Sequence, residues 1–74
     1  MPPLDWQPVS STRITHEAYD ADAEHIYVRF IDGVEWCYRA CPPAVWRAFT
    51  SVGQSRGKFI AQVLDYKPHG PNTG

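Results

Sequence analysis

The sequence lacks the features that would send the chain to a membrane or an export pathway. None of its apolar runs approaches the roughly 18 residues that a membrane-spanning helix needs. The N-terminus, MPPLDWQPVSS, has neither the basic segment nor the apolar stretch of a signal peptide. We therefore expect a cytoplasmic protein with no membrane contact.

Cysteine is scarce as well. Cys37 and Cys41 are too few for the disulfide framework of a small secreted domain, so we expect both to be free thiols. His16 and His25 do not form the second ligand pair that a zinc site usually shows. A cysteine nucleophile would need a cleft with a base and an oxyanion hole, which small domains seldom provide. The sequence predicts no metal, no cofactor and no enzymatic activity.

The net charge of −1 over 74 residues conceals an uneven distribution of charge. Residues 1–38 carry two basic and seven acidic side chains, a net charge of −5, whereas residues 39–74 carry five basic and one acidic, a net charge of +4. If folding keeps the halves apart, the second half offers a surface to an anionic partner; if it interleaves them, the field cancels. The five basic residues are Arg39, Arg47, Arg56, Lys58 and Lys67.

The segment 53–58, GQSRGK, looks like a phosphate-binding loop but does not match one. The Walker motif has four residues between its glycines and a Ser or Thr after its lysine, whereas here three residues intervene and Phe59 follows Lys58. Two alternatives stay open. Arg56 and Lys58 could hold an anion at a helix N-terminus, or the segment could be a solvated turn between helices.

The remaining patterns predict an α+β fold in the order β-β-β-α-α. Alternating and β-branched segments indicate strands at residues 12–19, 25–31 and 34–40. Helical spacing indicates helices at residues 43–52 and 58–64, the first beginning at prolines and the second capped by Ser55. We expect a three-stranded antiparallel β-meander packed on one face by two short helices. Residues 1–8 would be an arm, residues 9–66 the domain and residues 67–74 a flexible tail.

Asp32-Gly33 is the strongest hairpin signal in the chain, and the register of this hairpin decides which side chains share a face. A three-residue loop at residues 31–33, with Gly33 in the left-handed conformation, pairs Phe30 with Val34 and Arg29 with Glu35. The core face then carries Ile26, Val28, Phe30, Val34, Trp36 and Tyr38. The open face carries Tyr27, Arg29, Glu35, Cys37 and Arg39.

The same register predicts which aromatic side chains are buried and which are accessible to a ligand. Trp36 and Tyr38 are predicted to be core residues, and replacing Trp36 by alanine is expected to cost about 3 to 5 kcal/mol. Tyr27, on the open face near Arg29, is the one strand aromatic available to stack on a ligand. Trp6, in the proline-rich arm, either docks over the edge of the sheet or is a free recognition anchor.

Several of these residues together resemble the KTSC domain. They are Val9-Ser10-Ser11, Ile14, Tyr19-Asp20, the row Ile26-x-Val28-x-Phe30-x-x-Gly33-x-x-Trp36-x-Tyr38, then Pro42, Trp46, Phe49, and Ser55-x-Gly57-x-Phe59-x-x-x-Val63 with Tyr66. The family is named for an appendage of some lysyl-tRNA synthetases and includes short bacterial and phage proteins. Its hallmark is Tyr-x-Tyr, and here Trp36 stands in the first position. No function is established for the family, and its attachment to a synthetase is the basis for expecting RNA binding.

Two functions are therefore expected. The first is weak, salt-dependent RNA binding by Arg39, Arg47, Arg56, Lys58 and Lys67, with Tyr27 stacking on a base. The second is a protein-interaction module or phage-type accessory protein, which binds through the sheet edge, the open face or the Trp6 arm and could self-associate by edge pairing.

Overall fold

Five strands form one antiparallel sheet in which each strand pairs with its neighbours in chain order. The computed structural model describes residues 4–72. The strands are β1 (Gln7–Pro8), β2 (Ile14–Asp20), β3 (His25–Phe30), β4 (Glu35–Tyr38) and β5 (His69–Pro71). The α+β class is confirmed, but the prediction of three strands is wrong.

The two strands that the sequence did not predict form the edges of the sheet. β1 pairs with β2, and β5 pairs with β4. They fall in segments expected to be an arm, residues 1–8, and a tail, residues 67–74, of which residues 1–3 and 73–74 lie outside the described residues. Each edge strand has only two or three residues and includes a proline. Such strands show no alternation that could reveal them, and they offer a second copy few free backbone groups for edge pairing.

The predicted register of the central hairpin is confirmed. Tyr38 pairs with Ile26, Trp36 with Val28 and Glu35 with Arg29. The Phe30 N–H donates to the Val34 carbonyl at 2.8 Å, and Gly33 has φ of 91°. The loop therefore has the three residues 31–33, and Gly33 supplies the positive φ that this turn requires.

Two helices pack on the core face, α1 (Pro43–Phe49) and α2 (Arg56–Gln62), and a 3₁₀ helix follows at Leu64–Tyr66. The Lys58 N–H donates to the Ser55 hydroxyl at 3.3 Å, so the predicted cap is confirmed. α1 ends three residues before the predicted position, and Val52 is fully exposed. None of the described helices is long and apolar enough to cross a membrane.

The helices cover only part of the core face. Ile14, Ile26 and Val28 are completely buried and pack in one cluster with helical side chains, among them Phe49 and Ile60. We call this cluster of strand and helix residues the covered part. Elsewhere on the core face Tyr38 is also buried, as predicted, whereas Phe30 and Trp36 are half-buried and Val34 is exposed. Apolar burial stabilises the fold at about 25 cal/mol per Å², so most of this stabilisation comes from the covered part.

Candidate functional site

A cleft of about 620 Å³ opens on the uncovered part of the core face. Its walls are formed by four aromatic residues, Phe30, Trp36, Tyr38 and His69. Its rim carries the charged residues Arg13, Asp32 and Asp65, and the other two lining residues are Thr12 and Ile31. We call this the aromatic cleft. None of these residues belongs to α1 or α2, so the cleft lies beside the helices and not beneath them. Its volume is within the range of small-molecule and side-chain binding sites.

The sheet register explains how the aromatic walls come together. Trp36 and Tyr38 are two residues apart on β4 and therefore point to the same face. β5 brings His69 directly opposite Tyr38. The centroid of the His69 ring lies 5.6 Å from that of Trp36 and 5.5 Å from that of Tyr38. A strand that the sequence did not predict therefore supplies one wall of the site.

The charged rim comes from three other elements. Arg13 directly precedes β2, and its guanidinium carbon lies 5.6 Å from the centroid of the Phe30 ring. Asp32 lies in the hairpin loop, where its carboxylate accepts the Val34 N–H at 3.0 Å. Asp65 lies in the 3₁₀ helix. With His69 neutral, these groups give the aromatic cleft a formal charge of −1.

Tyr38 forms the floor of the aromatic cleft and is only 2% exposed. Burial, reinforced by the nearby Asp65 carboxylate, raises the pKa of Tyr38 to about 12. Its hydroxyl is therefore neutral throughout the physiological range.

The prediction that Trp36 is a core residue is correct only in part, because Trp36 packs against the buried cluster without being enclosed in it. It lies on the core face as expected, but it is half-buried and lines the aromatic cleft. The reason is that the helices do not extend over this part of the sheet, so alternation places the indole on the correct face without closing it off from solvent. The first member of the aromatic pair at residues 36 and 38 is therefore open to a ligand.

Arg56, predicted to bind phosphate, is instead part of a buried ion pair. Its guanidinium donates to both carboxylate oxygens of Glu17, from Nε at 2.8 Å and from an η nitrogen at 3.2 Å. The two side chains are 16% and 8% exposed. The guanidinium also lies over the Phe49 ring, 5.4 Å from its centroid, and donates to the Gln54 carbonyl at 3.3 Å. A cation held in this way is not available to an anionic ligand.

The other four basic residues predicted to bind phosphate do not form a single patch with Arg56. Arg47 is exposed on α1 and Lys58 is exposed on α2, whereas Arg39 follows β4 on the open face. Lys67 is half-buried just before β5. The backbone at Arg39 lies beside the segment that carries Lys67, because the Arg39 N–H donates to the carbonyl of Pro68 at 2.7 Å, so both residues lie at one corner of the sheet. None of the four forms an ion pair within residues 4–72.

The open face, where Tyr27 was predicted to stack on a ligand, is covered by Trp6. The indole meets the Tyr27 ring edge-on at a centroid distance of 6.5 Å, and the Arg29 guanidinium lies 4.9 Å from the indole centroid. Arg29 is also paired with Glu35 at 2.8 Å. Of the two alternatives for Trp6, the structure shows the docked one, and Tyr27 is half-buried beneath it.

The two thiols lie in surroundings that keep them protonated. Burial raises the pKa of Cys37 and also that of Cys41. Both cysteines are free, as predicted. Among the described residues, no group of three His, Cys, Asp or Glu side chains is arranged to hold a metal ion.

Sequence reasoning missed most of the rim of the aromatic cleft. Asp32 was assigned only to a turn, His69 to a tail, and Arg13 and Asp65 to no site. Their positions along the chain carry no common signal, because the 3₁₀ helix and β5 that bring them together were not predicted.

Comparison with known proteins gives a family and a structural relative. The family model described as KTSC domain matches residues 10–66. The crystal structure of a KTSC domain protein from Yersinia pestis superimposes with a TM-score of 0.85 at 27% sequence identity, and covers 93% of this chain and 97% of the other. No curated protein matches the sequence.

Proposed function

This chain belongs to the KTSC domain family, and from that premise we propose that it is a non-enzymatic binding module whose aromatic cleft receives an exposed part of a partner protein. The family membership and the close structural relative support the fold on which the proposal depends. The ligand and the cleft residues that bind it are inferred from this chain alone.

The half-buried state of Trp36 is the observation that carries the proposal. A tryptophan is a large apolar surface with one polar atom, and such residues contribute strongly to binding when they line a pocket. Trp36 lies on the core face, yet it lines a cleft of about 620 Å³ beside three other aromatic rings. Closing the cleft would bury more apolar surface and stabilise the domain. We infer that the opening serves a ligand.

The state of the thiols supports a binding function over a catalytic one. A cysteine nucleophile acts as the thiolate, which a lowered pKa favours. Here burial raises the pKa of both thiols. Neither cysteine lines the aromatic cleft.

Nuclear magnetic resonance tests the proposal directly. The chain has three tryptophans, Trp6, Trp36 and Trp46, so it should give three indole N–H signals. The protein is titrated with short blocked peptides that present each class of side chain. We expect at least one class to shift the Trp36 indole and the amides of the cleft residues while the Trp6 signal stays in place.

Two variants localise the binding. Trp36→Ala should abolish the response, whereas Trp6→Ala, which removes the same side chain from the opposite face, should retain it. If no class of peptide shifts the cleft signals, or if Trp6→Ala removes the response and Trp36→Ala does not, the proposal fails.

RNA binding is the second candidate, and one observation favours it. Arg39 and Lys67 lie at the same corner of the sheet, and neither is paired with a carboxylate in the described part of the chain. Two cations at one corner are a phosphate-binding surface of limited affinity. Arg56 is paired with Glu17 and does not add a third cation to this surface. RNA binding is therefore less well supported than the first candidate.

Fluorescence anisotropy of labelled tRNA and single-stranded RNA tests this candidate at low and physiological salt. Binding should weaken steeply with salt, and the double variant Arg39→Glu/Lys67→Glu should lose it. The control is Arg47→Glu/Lys58→Glu, which changes the net charge equally at other positions. Equal loss in both variants would indicate general electrostatic attraction, and no binding at low salt would exclude the candidate.

A further inference from the structure

We infer that the group which enters the aromatic cleft is a cationic side chain, arginine or lysine, carried by an exposed segment of a partner protein. The inference rests on the proposed function and names the chemistry of its ligand. Three features of the cleft carry it: the arrangement of its rings, the contact that one of its own residues makes, and its balance of charge.

The rings of Trp36, Tyr38 and His69 lie on the neighbouring strands β4 and β5. The centroid of the His69 ring lies within 6 Å of those of Trp36 and Tyr38, at interplanar angles of 57° and 46°. Tyr38 is only 2% exposed, so the ring surface that a ligand can reach belongs to Trp36, which is half-buried, and to His69, which is exposed. The face of an aromatic ring, and of tryptophan above all, attracts cations through its quadrupole.

Arg13 shows that a guanidinium is attracted to this surface. Its guanidinium carbon lies 5.6 Å from the centroid of the Phe30 ring, within the distance of a cation–π contact. The stem of Arg13 passes close to Gly57, where an added Cβ would lie 3.6 Å from the Arg13 Cβ. Arg13 therefore covers one aromatic wall at the rim, while Trp36 remains open to a second cation.

The balance of charge selects a cation over an anion. Arg13 offsets one of the two carboxylates, Asp32 and Asp65, and the other is left without a counter-ion in the cleft. Neither aspartate forms an ion pair within residues 4–72. An entering cation brings the cleft to neutrality, whereas a phosphate would make it more negative. A nucleobase could stack on the same rings, so the affinity for cationic peptides must be compared with the affinity for nucleotides.

The isotopically labelled protein is titrated with blocked pentapeptides that differ only at the central residue, and binding is followed by nuclear magnetic resonance. Arginine, lysine and citrulline are compared, because citrulline has the size and planarity of arginine without its charge. Uridine and adenosine monophosphates are the anionic aromatic probes. We expect the arginine and lysine peptides to shift the Trp36 indole and the His69 signals with an affinity about fivefold or more above that of citrulline and of either nucleotide.

Removal of the carboxylates tests the charge argument. Asp65→Asn should weaken arginine binding about threefold to tenfold and leave citrulline binding unchanged, with a smaller effect from Asp32→Asn. The control is Asp22→Asn, which removes the same charge from the exposed turn between β2 and β3 and should leave both peptides unaffected. Raising the salt concentration should weaken the binding of arginine more than that of citrulline.

The outcomes separate this inference from the proposed function. If citrulline or a nucleotide binds the cleft as tightly as arginine, the cleft is a binding site but the cationic ligand is wrong. If Asp65→Asn and Asp22→Asn have the same effect on the arginine peptide, the assigned role of the cleft carboxylates is wrong. If no probe shifts the cleft signals while the protein stays folded, both the inference and the proposed function fail.

Discussion

The two parts of the core face differ in enclosure although they share one alternating pattern. In the covered part, Ile14, Ile26 and Val28 are closed in beneath helical side chains. At the aromatic cleft, Phe30 of β3 and Trp36 of the neighbouring strand β4 point to the same face, yet they remain half-buried. The comparison teaches that alternation along a strand determines the face of a residue, whereas the elements packed on that face determine its burial.

The largest expected effect is in the covered part. Phe49 of α1 is completely buried, so Phe49→Ala should lower the free energy of unfolding by about 3 to 5 kcal/mol, through lost burial and the cavity it leaves. Urea denaturation followed by circular dichroism measures the loss. Val52→Ala is the control, because Val52 is fully exposed. A loss below about 1 kcal/mol for Phe49→Ala would mean that the covered part is not the main source of stability.

The buried ion pair should have an effect of similar size. Arg56→Ala leaves the carboxylate of Glu17 buried without its partner, which should cost about 3 to 5 kcal/mol. Lys58→Ala removes an exposed cation from the same helix and should change stability by less than about 0.5 kcal/mol. Both are measured by urea denaturation at neutral pH. Similar values for the two variants would contradict the structural role assigned to Arg56.

Tyr38 belongs to the buried cluster and also lines the aromatic cleft. Its ionisation should destabilise the folded state at alkaline pH. Its pKa is raised from 10.0 to about 12 by burial and by Asp65, so the folded state favours the neutral phenol. The corresponding stabilisation is complete below pH 10 and is lost as the pH rises from 10 to 12, by roughly 1 to 3 kcal/mol. Tyr27, whose pKa is also raised to about 12 by burial and by the neighbouring Cys37, adds to the loss.

Denaturant midpoints measured between pH 7 and pH 11.5 check this prediction. The variant Tyr38→Phe should show a shallower decline than the parent above pH 10, because the contribution of Tyr38 is gone, while the groups whose pKa burial also raises, Tyr19, Tyr27, Cys37 and Cys41, still contribute. An unchanged decline in Tyr38→Phe would show that Tyr38 is not held in its neutral form.

A smaller effect is expected on the open face. Trp6→Ala removes an edge-on contact with Tyr27 and a cation–π contact with Arg29, which together should stabilise the fold by about 1 kcal/mol. Thermal unfolding should show a modest decrease in Tm. Since Trp6 lies on the opposite side of the sheet, the signals of the aromatic cleft should stay in place, and their loss would mean that the two faces are coupled.

The sequence predicts the hairpin at residues 25–40 well because its determinants are local. Asp32-Gly33 and the alternation on either side fix the loop and the register. Ser55 is correctly predicted as the cap of α2 in the same way, although the predicted helix, at residues 58–64, begins two residues late. Such features depend on neighbours a few residues away.

The aromatic cleft and the pairing of Arg56 could not be predicted because they depend on distant parts of the chain. A register shift between Ile14 and His16 places both Ile14 and Glu17 on the core face, whereas regular alternation would separate them. Arg56 pairs with Glu17, which lies 39 positions earlier in the sequence. His69 reaches Trp36 only because β5, a three-residue strand containing proline, pairs with β4.

The stability of Trp36→Ala tests the central claim, that Trp36 faces a binding cleft and is not a core residue. We expect a folded variant that loses roughly 1 to 2 kcal/mol in urea denaturation, since truncation of a half-buried indole loses only part of the transfer energy and leaves no closed cavity. This replaces the larger loss expected from the sequence. A loss of about 3 to 5 kcal/mol, equal to that of Phe49→Ala, would return Trp36 to the core and contradict the account.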